Sequence, residues 1–328
     1  MKLLITGGLG FIGSNFILQI LKNNPHYEIT NVDAGLYGSN SMNLSNIQDE
    51  KNYRFVNGNI VEHELMEKLI SEHDVIINFA AESFVDRSIS EAKPFLDSNI
   101  KGVFTILEIL KKYKKKLVHI STDEVFGSLE KNTADEKFRF NPSSPYSATK
   151  ASSELLINAY HLTYECDCVI TRCTNNYGPR QFPEKLIPKV ILLASKNMKI
   201  PIYGNGKNLR DWIFVNDHCE AIQKVLEKGK SGESYNISSN SELDNLTIVR
   251  KILEIMGKSE DLIEFVEDRP GHDFRYSLDS SKIFRELGWK SKTTFEEGIE
   301  KTIQWYEKNQ KWWEGISEVT LEKTPWKN

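Results

Sequence analysis

The sequence predicts an α/β protein built on a doubly wound parallel sheet, with a smaller α/β unit towards its C-terminal end. Short β-branched and apolar runs alternate with longer segments of helical periodicity through the first half of the chain. A cluster of glycines lies between the first such run and the first helical segment. After about residue 176, prolines interrupt the alternation. This alternation predicts βαβ units and a parallel sheet that is buried on both faces.

Six segments have the length and the residue types of buried strands. They are Lys2–Thr6, Ile29–Asp33, Tyr53–Val56, Val75–Phe79, Leu117–Ser121 and Cys168–Arg172. Four segments between them repeat apolar residues at helical spacing. The predicted helices are Phe11–Leu21, Glu64–Ser71, Pro94–Lys112 and Tyr146–Tyr164.

The second half of the chain predicts a second unit. Four prolines, at positions 179, 183, 188 and 201, and the turn Gly204-Asn205-Gly206 break the earlier pattern. The stretch Asp211–Ser238 resembles a helix followed by a strand and is compatible with a return to the first unit. We therefore predict one domain of residues 1–175 plus about 209–239, and another of residues 176–208 plus 240–328.

Composition excludes several classes of function. The 328 residues are 39% apolar and 27% charged, with a formal net charge of -4, and the one dense basic run, Lys111–Lys116, is typical of a solvated helix end, so nucleic-acid binding is not expected. No run of 18 apolar residues is present, so neither a membrane span nor export is predicted. Cys166, Cys168, Cys173 and Cys219 lack metal or disulfide spacing, which indicates no metal site and reduced thiols in a cytoplasm.

The glycine cluster has the spacing of a dinucleotide-binding turn. Residues 2–14 read KLLITGGLGFIGS, with glycines at 7, 8, 10 and 13 between a strand and a helix. Such a turn lets the backbone approach a pyrophosphate at the helix N-terminus. Asp33 ends the second strand, where a carboxylate binds the ribose hydroxyls and repels the 2′-phosphate of NADP. The sequence favours NAD, although an aspartate that only caps a turn is the alternative interpretation of Asp33.

A tyrosine and a lysine lie one turn apart at the start of the helix Tyr146–Tyr164. In the segment Tyr146-Ser-Ala-Thr-Lys150 the phenol and the ammonium share one helix face. A cation beside a phenol favours the phenolate, which could take a proton from a hydroxyl group. The pair by itself is weak evidence, because Tyr and Lys at this spacing are common on exposed helices.

Two acids follow the predicted strand Leu117–Ser121. The chain continues as Thr122-Asp123-Glu124, and the carboxyl ends of strands in open α/β sheets face the ligand crevice. These side chains should therefore lie near the dinucleotide. Solvated turn residues are the alternative for an isolated Asp-Glu pair.

With these features together, the chain resembles the extended short-chain dehydrogenase/reductase family, which works largely on nucleotide sugars. Thr122-Asp123-Glu124 is similar to the signature of the dTDP-glucose 4,6-dehydratases within that family, whereas the related 4-epimerases typically carry small or hydroxyl residues there. Five further segments resemble the same subfamily: AAESFVDRS at 80–88, NNYGP at 175–179, FPEKLIP at 182–188, RDW at 210–212 and DRPGHD at 268–273. The likeness runs from residue 1 to about 300. It implies that the first domain is an NAD-binding Rossmann domain and the second a nucleotide-sugar-binding domain.

The resemblance implies a redox-neutral dehydration of dTDP-glucose to dTDP-4-keto-6-deoxyglucose. Oxidation of C4 makes the C5 proton acidic, which then permits loss of the C6 hydroxyl. In this scheme Tyr146 is the base for the C4 hydroxyl, Lys150 is its electrostatic partner, and Thr122 donates a hydrogen bond near O4. Glu124 removes the C5 proton and a protonated Asp123 protonates the departing hydroxyl, while hydride moves from C4 to NAD⁺ and returns to C6. Two acids with opposite protonation need different environments.

The resemblance also implies two sets of binding residues. Those for the cofactor are Gly7, Gly10, Phe11, Ile12, Gly13, Asp33, Asn59, Ile60, Ala80, Ala81, Ser83, Asn99, Tyr146, Lys150 and Asn176. Those for the substrate are Ser83, Asp86, Thr122, Asn175, Lys185, Leu186, Pro201, Tyr203, Arg210, Asn245, Arg269 and His272. For Arg210 a surface ion pair with Asp211 is the alternative. Three positions depart from the family pattern, with Asn59, Phe84 and Phe126 where Asp, His and Tyr are usual.

Other functions remain open at this point. A 4-epimerase, or a 4,6-dehydratase for UDP- or CDP-linked sugars, would use the same fold, and a non-catalytic NAD-binding scaffold is a further alternative. The predicted helices Pro94–Lys112 and Tyr146–Tyr164 carry apolar residues on more than one side, for example Phe95, Phe104 and Leu107. Extra apolar surface indicates a second packing partner. Since the family pairs these helices across a two-fold axis, we expect a homodimer formed through a helix bundle.

Overall fold

Twelve strands form three sheets in the computed structural model, which describes residues 1–316 and 318–327. The strands are Lys2–Thr6 (β1), Glu28–Asp33 (β2), Tyr53–Asn57 (β3), Val75–Asn78 (β4), Lys116–Thr122 (β5), Cys168–Cys173 (β6), Asn175–Tyr177 (β7), Ile200–Tyr203 (β8), Leu209–Phe214 (β9), Ser234–Ile237 (β10), Glu242–Asp244 (β11) and Ile263–Val266 (β12). The six strands predicted from the sequence correspond to β1 to β6, with ends that differ by at most one residue.

The helices alternate with the strands as predicted. They are Phe11–Asn23 (α1), His63–Glu72 (α2), Val85–Ser90 (α3), Lys93–Phe95 (α4), Val103–Tyr113 (α5), Pro145–Tyr164 (α6), Leu186–Ser195 (α7), Val215–Lys228 (α8), Asn245–Ile255 (α9), Ser281–Leu287 (α10), Phe295–Lys308 (α11) and Gln310–Glu314 (α12). Among the described residues, no helix is both long and apolar enough to cross a membrane.

The large sheet is parallel throughout, with the strand order β10-β6-β5-β4-β1-β2-β3. The chain winds from β1 outwards to β3, then returns to place β4 on the other side of β1. Helices cover both faces: Leu3 and Ile5 of β1 point into one apolar core and Leu4 into the other. The predicted doubly wound Rossmann-type fold is confirmed. Ligands bind at the switch point of such sheets, beyond the carboxyl ends of β1 and β4.

A separate apolar core, called the second core because it belongs to the second unit, lies in the C-terminal part of the chain. A three-stranded sheet, β11-β9-β7, and the parallel pair β12-β8 contribute to it together with α7, α9 and α11. Strand β9 pairs with β7 and β11 in the small sheet, and its Trp212 and Phe214 rings are buried in the second core. The chain then returns to the large sheet, where β10 pairs with β6.

The predicted helix Pro94–Lys112 is interrupted. Residues Leu96–Gly102 form a π-helical segment between α4 and α5. Such insertions widen one turn of a helix and often occur at functional sites. Within it, Asn99 turns towards residue 82 of the neighbouring loop, and Gly102 lies so close to Ile60 that an added Cβ would be 2.4 Å from its Cδ1 atom.

One buried ion pair fixes α6 against the large sheet. Arg172 of β6 and Glu154 of α6 are 2% and 0% exposed, and the guanidinium Nη2 lies 2.6 Å from the carboxylate. Ser121 of β5 donates a hydrogen bond to the same carboxylate. This pair therefore holds the helix that carries Tyr146 and Lys150.

Replacing Glu154 by Gln should lower the free energy of unfolding by about 3–5 kcal/mol, because it leaves the Arg172 charge buried without a counterion. Urea unfolding of the wild type and the variant measures the difference. The matched control is Glu260→Gln, which removes an ion pair with Arg250 on the exposed surface and should change stability little. Equal effects of the two substitutions would contradict the role of the buried pair.

Candidate active site

The glycine turn after β1 forms a close-packed cradle. Gly7 has φ +71°, and a Cβ atom there would lie 2.6 Å from the Ala80 nitrogen. A Cβ on Gly13 would lie 2.5 Å from the Gly7 carbonyl oxygen. The Gly7 amide donates to the Val32 carbonyl at 2.9 Å, which ties the turn to β2. Only glycine fits these two positions, and the turn leads directly into α1.

Substituting Gly7 by Ala tests the cradle. Strain at positive φ should cost about 1–2 kcal/mol of stability, and the contact with Ala80 should add a loss of NAD binding. Gly257→Ala is the matched control, because its φ is +62° with no atom within 4 Å of an added Cβ. Thermal unfolding and NAD titration of both variants separate the two effects. Full NAD affinity in the Gly7 variant would contradict the prediction.

Asp33 occupies the end of β2 beside this cradle. Its Oδ2 accepts a hydrogen bond from the Leu9 amide and its Oδ1 from the Gly35 amide, each at 2.9 Å. Burial raises the pKa of Asp33, and the two backbone hydrogen bonds oppose that shift. The carboxylate therefore caps the loop and also lines the cavity, and each oxygen retains a lone pair for a ribose hydroxyl.

A cavity of about 290 Å³ runs from the cradle along the carboxyl ends of β1, β4, β5 and β6. Fourteen of the fifteen residues predicted for the cofactor line it: Gly7, Gly10, Phe11, Ile12, Gly13, Asp33, Asn59, Ile60, Ala80, Ala81, Ser83, Tyr146, Lys150 and Asn176. The fifteenth, Asn99, lies behind the wall. The side-chain oxygen of Asn99 accepts a hydrogen bond from the Glu82 amide, and its side-chain nitrogen donates to the Glu82 carbonyl and the Thr149 hydroxyl. Asn99 therefore supports the loop that lines the cavity.

Tyr146 in the first turn of α6 and Lys150 in the second both project into this cavity. Ser144 caps the helix, which fixes where its first turn begins. The Lys150 ammonium donates to the Ile120 carbonyl at 2.7 Å, and burial lowers the pKa of Lys150 to about 8. Burial, followed by the Glu124 carboxylate, raises the pKa of Tyr146 well above its usual value. The sequence had predicted the opposite direction, because it considered the lysine charge and not the burial of the phenol.

The strand-end acids lie in the same cavity, in a short 3-10 turn that the Thr122 side chain caps. Burial and then the neighbouring Glu124 raise the pKa of Asp123 well above its usual value. Burial also raises the pKa of Glu124, but Arg269, Lys185 and Arg210 oppose the shift. The two carboxyl groups therefore have different electrostatic environments, as two opposite proton-transfer roles require.

A second cavity adjoins the first on the side of the C-terminal unit. Phe84, Glu124, Asn175 and Lys185 line both. Ten of the twelve residues predicted for the substrate line the second cavity: Asp86, Asn175, Lys185, Leu186, Pro201, Tyr203, Arg210, Asn245, Arg269 and His272. The other two, Ser83 and Thr122, line the first cavity.

Three of the residues predicted for the substrate bring cationic side chains to the second cavity. Lys185 donates to the Ser83 carbonyl at 2.8 Å, and Arg269 pairs with Asp86 at 2.6 Å. Arg210 lies against the Tyr276 ring, 4.3 Å from its centroid, and donates to backbone carbonyls. The alternative of an Arg210–Asp211 surface ion pair is wrong, because Arg210 is buried and the Asp211 carboxylate instead accepts hydrogen bonds from residues 238–241.

His272 shares the second cavity with these cations. Its Nδ1 lies 2.6 Å from the Asp268 carboxylate. Burial and the two nearby guanidinium groups lower the pKa of His272 to about 4, so the imidazole is neutral at pH 7.

Several lining residues had not been predicted. Lys189, Tyr276, Trp212 and Glu184 line the second cavity. Lys189 lies on the largely apolar helix α7, and its sequence pattern does not show that this lysine faces a cavity. Tyr276 lies outside the regular helices and strands. Two of the family-like segments contained a signal, because FPEKLIP at 182–188 includes Glu184 and RDW at 210–212 includes Trp212, but neither residue was assigned to the site.

The departures from the family pattern have structural roles. Asn59 caps the turn before α2 by accepting from the Val61 amide at 3.1 Å. The Phe84 ring packs edge-on against Tyr37 and Phe182, and the Lys185 ammonium lies 4.5 Å from its centroid. Phe126 is buried in a small apolar cluster. None of the three replaces a group that transfers protons in the implied scheme.

Topology and site together define a class. A Rossmann-type sheet with a glycine cradle at its switch point and a Tyr–Lys pair one helical turn apart in the same cavity is the arrangement of the extended short-chain dehydrogenases/reductases. The family model described as GDP-mannose 4,6 dehydratase matches residues 4–302, so the chain belongs to that family.

Individual relatives narrow the comparison. A dTDP-glucose 4,6-dehydratase of Streptomyces niveus is 45% identical over 96% of each chain. The crystal structure of the dTDP-glucose 4,6-dehydratase from Bacillus anthracis in complex with NAD is 47% identical, covers 97% of this chain and 100% of that one, and has a TM-score of 0.91. The corresponding enzyme DesIV of Streptomyces venezuelae, also crystallised with NAD, is 42% identical with the same coverage and a TM-score of 0.94.

Proposed function

We propose that this protein is an NAD-dependent nucleotide-sugar 4,6-dehydratase that converts dTDP-glucose into dTDP-4-keto-6-deoxyglucose. The observation that carries the proposal is the pair of adjacent carboxyl groups, Asp123 and Glu124, in the cavity that also contains Tyr146 and Lys150. The near full-length relatives named dTDP-glucose 4,6-dehydratase support the choice of reaction and of substrate.

The first cavity fits NAD. Its cradle accepts only glycine at positions 7 and 13, which is the space that a pyrophosphate requires next to a helix N-terminus. Asp33 lines the same cavity, which supports its proposed role at the ribose hydroxyls. When bound, NAD supplies the hydride acceptor for C4 oxidation, the donor for C6 reduction, and a positive charge in its oxidised form.

Tyr146 is proposed as the base for the C4 hydroxyl. Burial and Glu124 oppose its ionisation, whereas a hydrogen bond with Thr122 lowers its pKa. The phenolate therefore needs further positive charge nearby, and Lys150 carries the cation one helical turn away. Thr122 is placed between the phenol and Asp123, to which it donates at 3.1 Å.

Asp123 and Glu124 are proposed as the acid and the base of water elimination. Burial and the neighbouring Glu124 raise the pKa of Asp123, which favours the protonated carboxyl that can donate a proton to the departing C6 hydroxyl. Three cations favour the ionised form of Glu124, which can then remove the C5 proton. Glu124 holds the C5 proton until hydride is delivered to C6 and then returns it to C5, while the departing water carries the proton of Asp123. The proton that Tyr146 took from the C4 hydroxyl replaces the one that Asp123 lost.

The diphosphate is proposed to bind in the second cavity. Lys185, Arg210 and Arg269 all line it, and guanidinium groups match phosphate oxygens with paired donors. Its far end, at Pro201 and Tyr203, would then take the nucleoside. This arrangement places the hexose at Glu124, where the two cavities meet.

The test is incubation of the purified protein with dTDP-, UDP- and CDP-glucose, followed by the alkaline absorbance of a 4-keto-6-deoxy product. Product from dTDP-glucose at the highest kcat/KM supports the proposal. A preference for UDP- or CDP-glucose would show that the proposed nucleotide is wrong. Conversion to a C4 epimer without loss of water would show that the reaction is epimerisation and not dehydration.

We further propose that the protein works in the cytoplasm, where its four buried cysteines stay reduced.

We also propose that the protein is a homodimer. Phe95 and Leu107, which had indicated a second partner, are buried within the chain. The surface on α5 and α6 is instead apolar at Phe104, Leu155 and Leu162, which are 44%, 60% and 81% exposed. Apolar side chains grouped on neighbouring helices are typical of an interface.

Light scattering should give twice the chain mass at micromolar concentration, and Leu155→Glu combined with Leu162→Glu should give a monomer. A wild-type protein that remains monomeric would contradict the dimer.

A further inference from the structure

The end of the chain packs against the wall of the second cavity. The segment 320–327 begins within a short 3-10 turn, Glu318–Leu321, and ends with another, Pro325–Lys327, in which Trp326 is only 7% exposed. This turn contacts α3, the helix that brings Asp86 to the cavity. The burial of this large aromatic side chain indicates that the segment 320–327 has a fixed position against the cavity wall.

Trp326 holds a cavity residue directly. Its ring meets the Tyr203 ring edge-to-face, with centroids 4.6 Å apart and an interplanar angle of 83°. The Tyr203 hydroxyl donates to Asp86 at 3.1 Å. The Tyr203 side chain is therefore fixed at its ring by the tail and at its hydroxyl by α3.

Other contacts tie the same tail to further parts of the wall. The Lys189 ammonium, which also lines the cavity, donates to the Glu322 carbonyl at 3.0 Å. Lys323 and Lys327 pair with Glu264 and Glu267, in and next to β12. Since β12 pairs with β8, the strand of Tyr203, the tail joins α3, α7 and β8 around one end of the cavity.

We propose that the segment 320–327 is a positioning element for substrate binding, in which Trp326 fixes the Tyr203 ring at the end of the cavity that takes the nucleoside. The inference rests on the proposed function. Trp326 is a positioning residue and not a catalytic one. The described residues that line the cavity include Tyr203 and Lys189 but not Trp326, which acts on the cavity through them.

The physical reason is preorganisation. A tyrosine ring that is free to change rotamer must be ordered when the ligand binds, and this ordering lowers the affinity. With Trp326 in place, the ring is ordered before binding. Removal of Trp326 should therefore weaken the binding of nucleoside-containing ligands and leave the groups around the hexose unchanged.

The experiment is calorimetric titration of the NAD-loaded protein with thymidine diphosphate, together with steady-state kinetics on dTDP-glucose. For Trp326→Ala we expect a Kd for thymidine diphosphate and a KM for dTDP-glucose that are each about tenfold higher than in the wild type. The kcat should stay within about twofold of the wild-type value. Trp326→Phe, which keeps an aromatic edge, should restore most of the affinity.

Trp313→Ala is the matched control, since Trp313 packs against the second core and bonds the Tyr306 carbonyl. It should lower the thermal stability without changing the Kd for thymidine diphosphate. If Trp326→Ala does not fold, Trp326→Leu replaces it, because leucine keeps an apolar side chain without the ring.

The outcomes separate the two proposals. A wild-type protein that does not bind thymidine diphosphate overturns the proposed function, and the inference with it. A wild type that binds while Trp326→Ala or Trp326→Leu binds equally well overturns the inference alone. A fall in kcat with an unchanged KM also overturns it.

Discussion

Replacement of Glu124 by Gln should lower the rate of dehydration by about 10²–10⁴-fold, the usual contribution of a general base. Glutamine has nearly the same shape but cannot accept the C5 proton. Oxidation at C4 depends on Tyr146 and Lys150 and should continue. The reaction should therefore stop after its first step, and NADH absorbance should appear and persist when dTDP-glucose is added to the variant.

Three measurements test this expectation: the yield of 4-keto-6-deoxy product, the NADH absorbance, and the exchange of the C5 hydrogen with deuterated water. The matched control is Glu82→Gln, since Glu82 lines the same cavity and burial also raises its pKa, but it is given no proton-transfer role. Wild-type dehydration by the Glu124 variant would show that another group removes the C5 proton.

The same pair predicts a pH profile for the wild-type enzyme. Glu124 must be ionised, and its pKa is raised above the usual value of 4.5, so kcat should fall as the pH decreases through that raised value. Asp123 must be protonated, and its pKa is also raised, so kcat should fall again as the pH increases past it. In the Glu124→Gln variant the residual rate should lose the acidic limb of this profile.

Much of the fold could be predicted from the sequence because its signals are local. Strands β1 to β6 are short apolar runs, and the glycine spacing belongs to a single turn, in which a Cβ on Gly13 would lie 2.5 Å from the Gly7 carbonyl oxygen. The interruption at Leu96–Gly102 could not be predicted in this way, since it depends on contacts between Asn99 and a loop 17 residues away. The strands of the small sheets, such as β9, were missed because they are short and pair with distant segments.

The residues of the site could be predicted from the sequence more completely than the pKa shifts of their side chains. The resemblance located Asp123, Glu124, Tyr146 and Lys150, and the structure places all four around one cavity. The direction of the Tyr146 pKa shift was wrong, because desolvation depends on all the chain segments that cover the phenol. Burial is a property of the tertiary structure, and no spacing in the sequence contains it.

Replacement of Tyr146 by Phe should also reduce dehydration by about 10²–10⁴-fold, but at an earlier step. The variant keeps the ring and its edge-to-face contact with Phe95, and loses only the hydroxyl. Without a base for the C4 hydroxyl no ketone forms, and the C5 proton never becomes acidic. The variant should therefore show no NADH signal, in contrast to Glu124→Gln, and neither variant should exchange the C5 hydrogen.

Tyr160→Phe is the matched control, because it lies on the same helix and loses a hydrogen bond with Glu108 that is remote from the cavity. It should keep the wild-type rate. If Tyr146→Phe accumulated NADH as Glu124→Gln does, the oxidation would not need the phenol. Another group would then have to accept the proton of the C4 hydroxyl, and the assignment of Tyr146 as that base would be wrong.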